Sequence, residues 1–124
     1  WRIAIEAPLA TRREPLVGLR LRDAAVSTSG DYRDARVDTE GRRYSHTIDP
    51  RTGRTTASAL TAVTVIDADA IRADAYATAL MVMGTEAGLA WTQALRVPAL
   101  FVERTSKPGE WRLLESPAFA EWRE

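Results

Sequence analysis

His46 is the single histidine of the chain, and histidine is the side-chain type suited to proton exchange at physiological pH. It is followed closely by Asp49-Pro50-Arg51-Thr52-Gly53, which places a carboxylate, a guanidinium and a hydroxyl just after an imidazole. Such an imidazole can act as a general base, a ligand donor or, once protonated, a phosphate-binding cation. The plain alternatives are a half-buried histidine that caps a turn and a surface hairpin that needs no ligand. Upstream, Thr28-Ser29-Gly30-Asp31 gathers hydroxyls and a carboxylate around a glycine. A bend there would expose successive amides able to cradle anionic oxygens, although ordinary turns use the same residues. Downstream, Asp74 and Thr78 stand four residues apart, so on a helix their oxygens share one face. A carboxylate and a hydroxyl on adjacent turns suit magnesium, which takes oxygen ligands and keeps water or ligand phosphates. A solvent-facing polar stripe would look the same. Taken together, these residues point to a phosphate-bearing ligand and a hard metal ion.

The elements that must hold them are legible from periodicity. Trp1 to Glu6 and Val17 to Asp23 alternate apolar and polar residues and read as two strands of a meander. Ala24 to Thr28 runs into the Ser29-Gly30-Asp31 bend, and Arg42 to Ile48 reads as a strand that delivers His46 to the Asp49–Gly53 turn. Leu60 to Ile66 is rich in β-branched residues and reads as a central strand. Asp67 or Asp69 then caps a helix from about Ala70 to Met83, with Gly84 at its C-terminal end. Ile71, Ala75, Leu80, Met81 and Val82 are expected to form its buried face. Thr85 is expected to cap a second helix to Leu95, and Val97 to Arg104 with Trp111 to Glu115 an antiparallel pair; Ser116 and Pro117 open a short closing helix. Strands at both ends and helices in the middle make an α+β fold.

Length and composition narrow the classes of partner. A chain of 124 residues fits one domain with a real core. Its 17 basic and 17 acidic residues cancel, so no nucleic-acid or anionic-membrane footprint appears. With no cysteine, zinc-thiolate sites, thiol nucleophiles and disulfides are excluded, and metal chemistry must use oxygen ligands or His46. No apolar run approaches the ~20 residues that span a bilayer. The strand-like opening at Trp1 suggests an internal position of a longer protein.

The motifs, taken in order, resemble the C-terminal part of the ApbE family, the FAD:protein FMN transferases. The family pattern W-R-I-x-I-x-x-P, then T-S-G-D-Y, then G-R-x-Y-x-H-x-I-D-P-x-T-G, then A-D-A-x-A-T-A-L-x-V-x-G is matched at Trp1 to Pro8, Thr28 to Tyr32, Gly41 to Gly53 and Ala73 to Gly84. The resemblance implies an α+β, T-fold-related architecture with an antiparallel sheet packed by central helices. It also implies magnesium-dependent transfer of FMN from FAD to a Thr or Ser hydroxyl of an acceptor protein, with release of AMP; some members instead hydrolyse FAD to FMN and AMP. By motif position His46 would lie at the pyrophosphate and acceptor, Asp74 and Thr78 would bind Mg2+, and Asp31 with Ser29 and Gly30 would lie near the flavin nucleotide. Thr28, Asp49, Arg51 and Thr52 join the FAD-binding candidates, and either His46 or Asp31 fits the base. The family's upstream half, with its G-G-I-A-K-G-like segment, has no counterpart here. The expectation is therefore a C-terminal portion of the domain that associates with an upstream segment or with a second copy, or an inactive flavin-binding fragment. Family members are commonly lipid-anchored outside the cytoplasm.

Overall fold

The structure, a computed structural model, describes residues 1–32, 36–56 and 58–124. Strands β1 (Arg2–Glu6) and β2 (Pro15–Arg20) form an antiparallel hairpin. Strand β3 (Ala25–Gly30) follows, then two short ladders, β4 (Arg36–Val37) with β5 (Arg43–Tyr44) and β6 (Ile48–Asp49) with β7 (Arg54–Thr55). Strand β8 (Leu60–Asp67) leads into helices α1 (Ala70–Met83) and α2 (Thr85–Leu95), strands β9 (Ala99–Arg104) and β10 (Trp111–Glu115), and a closing 3-10 helix, Pro117–Trp122. The main sheet is antiparallel in the order β10-β9-β8-β3, which leaves β3 at one edge.

This sheet is covered on both faces, and the period-two alternation of its strands decides which residues go where. Val63, Val65, Ala99 and Phe101 face the helices and pack with Ala73, Ala77, Leu80 and Met81 of α1. Ala62, Ile66, Leu100 and Val102 face the other way and pack with Ile5, Val17 and Leu19 of the β1–β2 hairpin and Phe119 of the closing helix. β8 is therefore buried along nearly its whole length, which explains its unbroken β-branched run.

Helix α1 has the expected bounds. Asp69 caps it by accepting a hydrogen bond from the Ile71 amide at 2.8 Å, and Gly84 follows at φ 80. The buried stripe differs from expectation. Ala73, Ala77 and Leu80 recur at helical spacing and point inward, whereas Ile71, two residues off that stripe, is 80% exposed, and Ala75 is exposed as well. Thr85 also departs: its hydroxyl donates to Glu103 Oε1 at 2.6 Å rather than capping α2. The second predicted strand starts earlier, at Pro15, and ends at Arg20, opposite Arg2; the Leu21 amide still donates to the Trp1 carbonyl at 2.8 Å, and Asp23 then adopts φ 50. Among the described residues no helix is long and apolar enough to cross a membrane.

The packing of α2 on the sheet depends on one small residue. A Cβ built on Gly88 would lie 2.7 Å from Phe101 Cε1 and 3.0 Å from its Cζ, and Phe101 is fully buried. Gly88→Ala is expected to destabilise the protein by a net ~1–2 kcal/mol, because overpacking outweighs the gain in helix propensity. Thermal unfolding reads this directly, and an unchanged melting temperature would show that the ring yields.

Candidate functional site

The residues singled out for chemistry fall into three groups. The first lies where α1 crosses the edge strand. Ser27 and Ser29 are on one face of β3, and their spacing of about 7 Å along a strand nearly matches the about 6 Å between Asp74 and Thr78 along a helix. The two pairs meet in register. Ser27 Oγ donates to Asp74 Oδ1 at 2.9 Å, and Ser29 Oγ lies 2.9 Å from Thr78 Oγ1. Asp74 and Thr78 are one residue on from Ala73 and Ala77, so the buried stripe of α1 sets both oxygens at its solvent border. Ser27 was not among the residues expected from sequence; its partner on α1 is forty-seven residues away.

The second group faces the opposite side of the same strand. Thr28 Oγ1 is 2.8 Å from Thr64 Oγ1, its direct cross-strand partner, and Thr64 is fully buried. Thr28 and Gly30 line a groove of about 460 Å3 between β1 and β3, together with Ile5, Glu6, Val26 and Tyr32. The Tyr32 hydroxyl donates to Glu6 Oε1 at 2.8 Å. The expected bend at Ser29-Gly30 is absent: both residues continue β3, and the chain turns only at Asp31 and Tyr32. Glycine is needed at Gly30 for close approach instead, since a Cβ there would sit 2.6 Å from Tyr32 Cε1 and 3.2 Å from the Thr61 carbonyl oxygen. Asp31 is 7% exposed, its amide donates to the Thr61 carbonyl at 3.0 Å, and Arg104 Nη2 stands 4.0 Å from its Oδ1.

The third group is the β5–β7 arm. Ser45 is buried and accepts from the Thr47 amide at 3.0 Å, a local turn that leaves His46 exposed. The expected turn follows: Gly53 donates from its amide to the Asp49 carbonyl at 2.8 Å, with φ 66. Asp49 grips Arg51 through Nε at 3.0 Å and Nη2 at 2.8 Å, and the Thr52 hydroxyl accepts from the Arg54 amide at 3.2 Å. The Arg51 side chain, which donates these bonds, holds the Asp49 carboxyl below its ordinary pKa. A ligand anion would compete with that carboxylate for Arg51. No hydrogen bond or ion pair among the described residues joins His46, Asp49, Arg51 or Thr52 to the Ser27–Asp74 group.

An ion pair fixes the start of α1. Arg72 Nη2 donates to Asp67 Oδ1 at 2.6 Å, and the Asp69 amide donates to the same oxygen at 2.8 Å. The Arg72 side chain is the main cause of an Asp67 pKa held below the ordinary carboxylate value. A depressed folded-state pKa contributes stability above the unfolded value of about 3.9, and that stability is lost as pH falls through the folded value. The Arg72 side chain is 55% exposed, so screening limits the pair to ~0.2–1 kcal/mol. Asp67→Asn is expected to lower stability by that amount near neutrality and to flatten the acid limb below about pH 5. Denaturant unfolding across pH checks it, and a parallel acid limb in the variant would refute it.

The model of the ApbE family matches residues 1–101. The chain belongs to the ApbE family. It is 45% identical over 105 residues to an FAD:protein FMN transferase of Vibrio cholerae, covering 85% of this chain and 31% of that protein. It is 37% identical over 120 residues to the FAD:protein FMN transferase of Escherichia coli K12, covering 96% and 33%. The structure of the flavin transferase ApbE from Vibrio cholerae superposes with a TM-score of 0.80 at 40% identity, over 98% of this chain and 37% of that one. The ApbE fold is thus present, as an α+β layer of helices on an antiparallel sheet. The chain spans about a third of the length of the curated ApbE proteins it matches.

Magnesium takes oxygen ligands, and the first group supplies them. Among the described residues no three His, Cys, Asp or Glu side chains gather as a metal site. Asp74 and Thr78 nevertheless form a hard-oxygen pair, and Ser27 occupies only Oδ1 of Asp74. A single carboxylate with a hydroxyl fits a cation that keeps waters and phosphate oxygens as its other ligands.

Proposed function

We propose that this chain is the C-terminal portion of a domain that moves FMN from FAD onto a Ser or Thr hydroxyl of an acceptor protein and releases AMP. The observation that carries this reading is the register match of Asp74 and Thr78 with the hydroxyls of β3, in a chain whose relatives are named FAD:protein FMN transferase.

In the reaction the acceptor oxygen attacks the phosphorus of the FMN half. The bond from that phosphorus to the bridging oxygen breaks, and AMP departs with that oxygen. The acceptor proton passes to an imidazole nitrogen of His46, whose exposed position on the β5–β7 arm suits a group that must meet a protein substrate. Asp31 is the lesser candidate for base because it is buried beside Arg104. Asp74 and Thr78 would hold Mg2+, and when bound it would supply positive charge against the charge building on the diphosphate. Thr28, Ser29, Gly30, Asp49, Arg51 and Thr52 are the proposed FAD contacts, from the strand edge and from the turn beside His46. The other partners are the acceptor and either an upstream segment of the ApbE domain or a second copy.

The test supplies FAD, Mg2+ and an acceptor peptide to this chain joined to the upstream part that its relatives carry, and follows peptide-bound flavin fluorescence and AMP. Covalently labelled peptide is the expected product. Free FMN and AMP without labelled peptide would replace transfer by hydrolysis, and the absence of both products would overturn the proposal.

A further inference from the structure

We propose that Ser27 and Ser29 are positioning residues for the cation pair; this rests on the reading of Asp74 and Thr78 given above. A cation ligand works best when its other hydrogen-bonding capacity is already spent on a fixed partner. Ser27 Oγ donates to Asp74 Oδ1 at 2.9 Å. That bond holds one oxygen of an exposed carboxylate and leaves Oδ2 with no hydrogen bond of its own among the described residues. The Ser29–Thr78 contact, 2.9 Å between hydroxyl oxygens, can run in either direction. A threonine hydroxyl that presents a lone pair to a cation must send its proton elsewhere, and Ser29 Oγ is the acceptor within reach. Bound cation would therefore fix the direction as Thr78 donating to Ser29.

The matched spacings make the two bonds a unit. β3 repeats every second residue and α1 every fourth, so the ladder Ser27–Asp74 and Ser29–Thr78 closes without distorting either backbone. All four side chains sit at the solvent border rather than in the core, and α1 is already anchored on the sheet by Ala73, Ala77, Leu80 and Met81. Holding the helix in place does not require these serines.

The test measures Mn2+ affinity directly, by electron paramagnetic resonance of free Mn2+, in the ApbE protein that contains this chain, alongside melting temperature. Ser27→Ala and Ser29→Ala are each expected to weaken Mn2+ binding about tenfold or more with melting changed by no more than a few degrees. Ser27→Thr, which keeps the hydroxyl, is expected to restore affinity. Alanine variants that bind Mn2+ as tightly as the parent, or that lose melting temperature while affinity holds, would show that the serines only join strand to helix. Asp74→Ala separates the two ideas. If it leaves Mn2+ affinity intact the cation reading itself fails, whereas loss with Asp74→Ala but not with the serine variants overturns this inference alone.

Discussion

Asp74→Ala is expected to abolish flavin transfer and to erase its response to added Mg2+. A hard cation at a diphosphate contributes several kcal/mol of charge stabilisation, and each ~1.4 kcal/mol is a factor of ten, so the rate should fall roughly a thousandfold. Stability should not follow. Asp74 is exposed in the interior of α1, where alanine is the better helix former, and the bond from Ser27 is also solvent-facing. The informative result is therefore an inactive protein that melts no lower than the parent. Transfer that keeps its dependence on Mg2+ in this variant would remove Asp74 from the cation site.

His46→Ala is expected to slow transfer by ~10²–10⁴ while FAD affinity changes only a few-fold. Buried Ser45 and its bond from the Thr47 amide hold the loop from below, and no hydrogen bond to a described residue occupies the imidazole, which is exposed. Its loss removes a proton acceptor without disturbing packing. Single-turnover flavinylation and a fluorescence titration with FAD separate the two effects. Asp31→Asn provides the control. It should cost stability by weakening the partly buried pairing with Arg104, and if it alone stops transfer in a protein that stays folded, the base is Asp31.

Much of the scaffold was readable because local pattern and tertiary environment agree. The β-branched run of β8 is buried on both faces, and α1 begins after Asp69 and ends at Gly84 as its capping residues require. The misread places are those where local chemistry permits two answers. Ser29-Gly30 has the composition of a turn, yet β8 pairs with both residues and Tyr32 covers the glycine. Ile71 is apolar but lies off the stripe that the sheet selects. Ser27–Asp74, Tyr32–Glu6, Thr85–Glu103 and Asp31–Arg104 join residues far apart in the chain, and only the fold brings them together. The Asp49–Gly53 turn shows a different limit. Its composition suits ligand binding, and its carboxylate, guanidinium and hydroxyl are already committed to one another and to the backbone.

The pairing of β3 with β8 has a genetic consequence. Ser27 and Ser29 look toward α1 while Thr28 and Gly30 look toward the groove, purely because adjacent residues of a strand point opposite ways. Loss of a single codon just ahead of Ser27 would slide the strand by one place and invert all four at once. Threonine and glycine would then confront Asp74 and Thr78, and both serines would turn toward the groove. A substitution along β3 disturbs one contact, whereas an insertion or deletion there disturbs them all together.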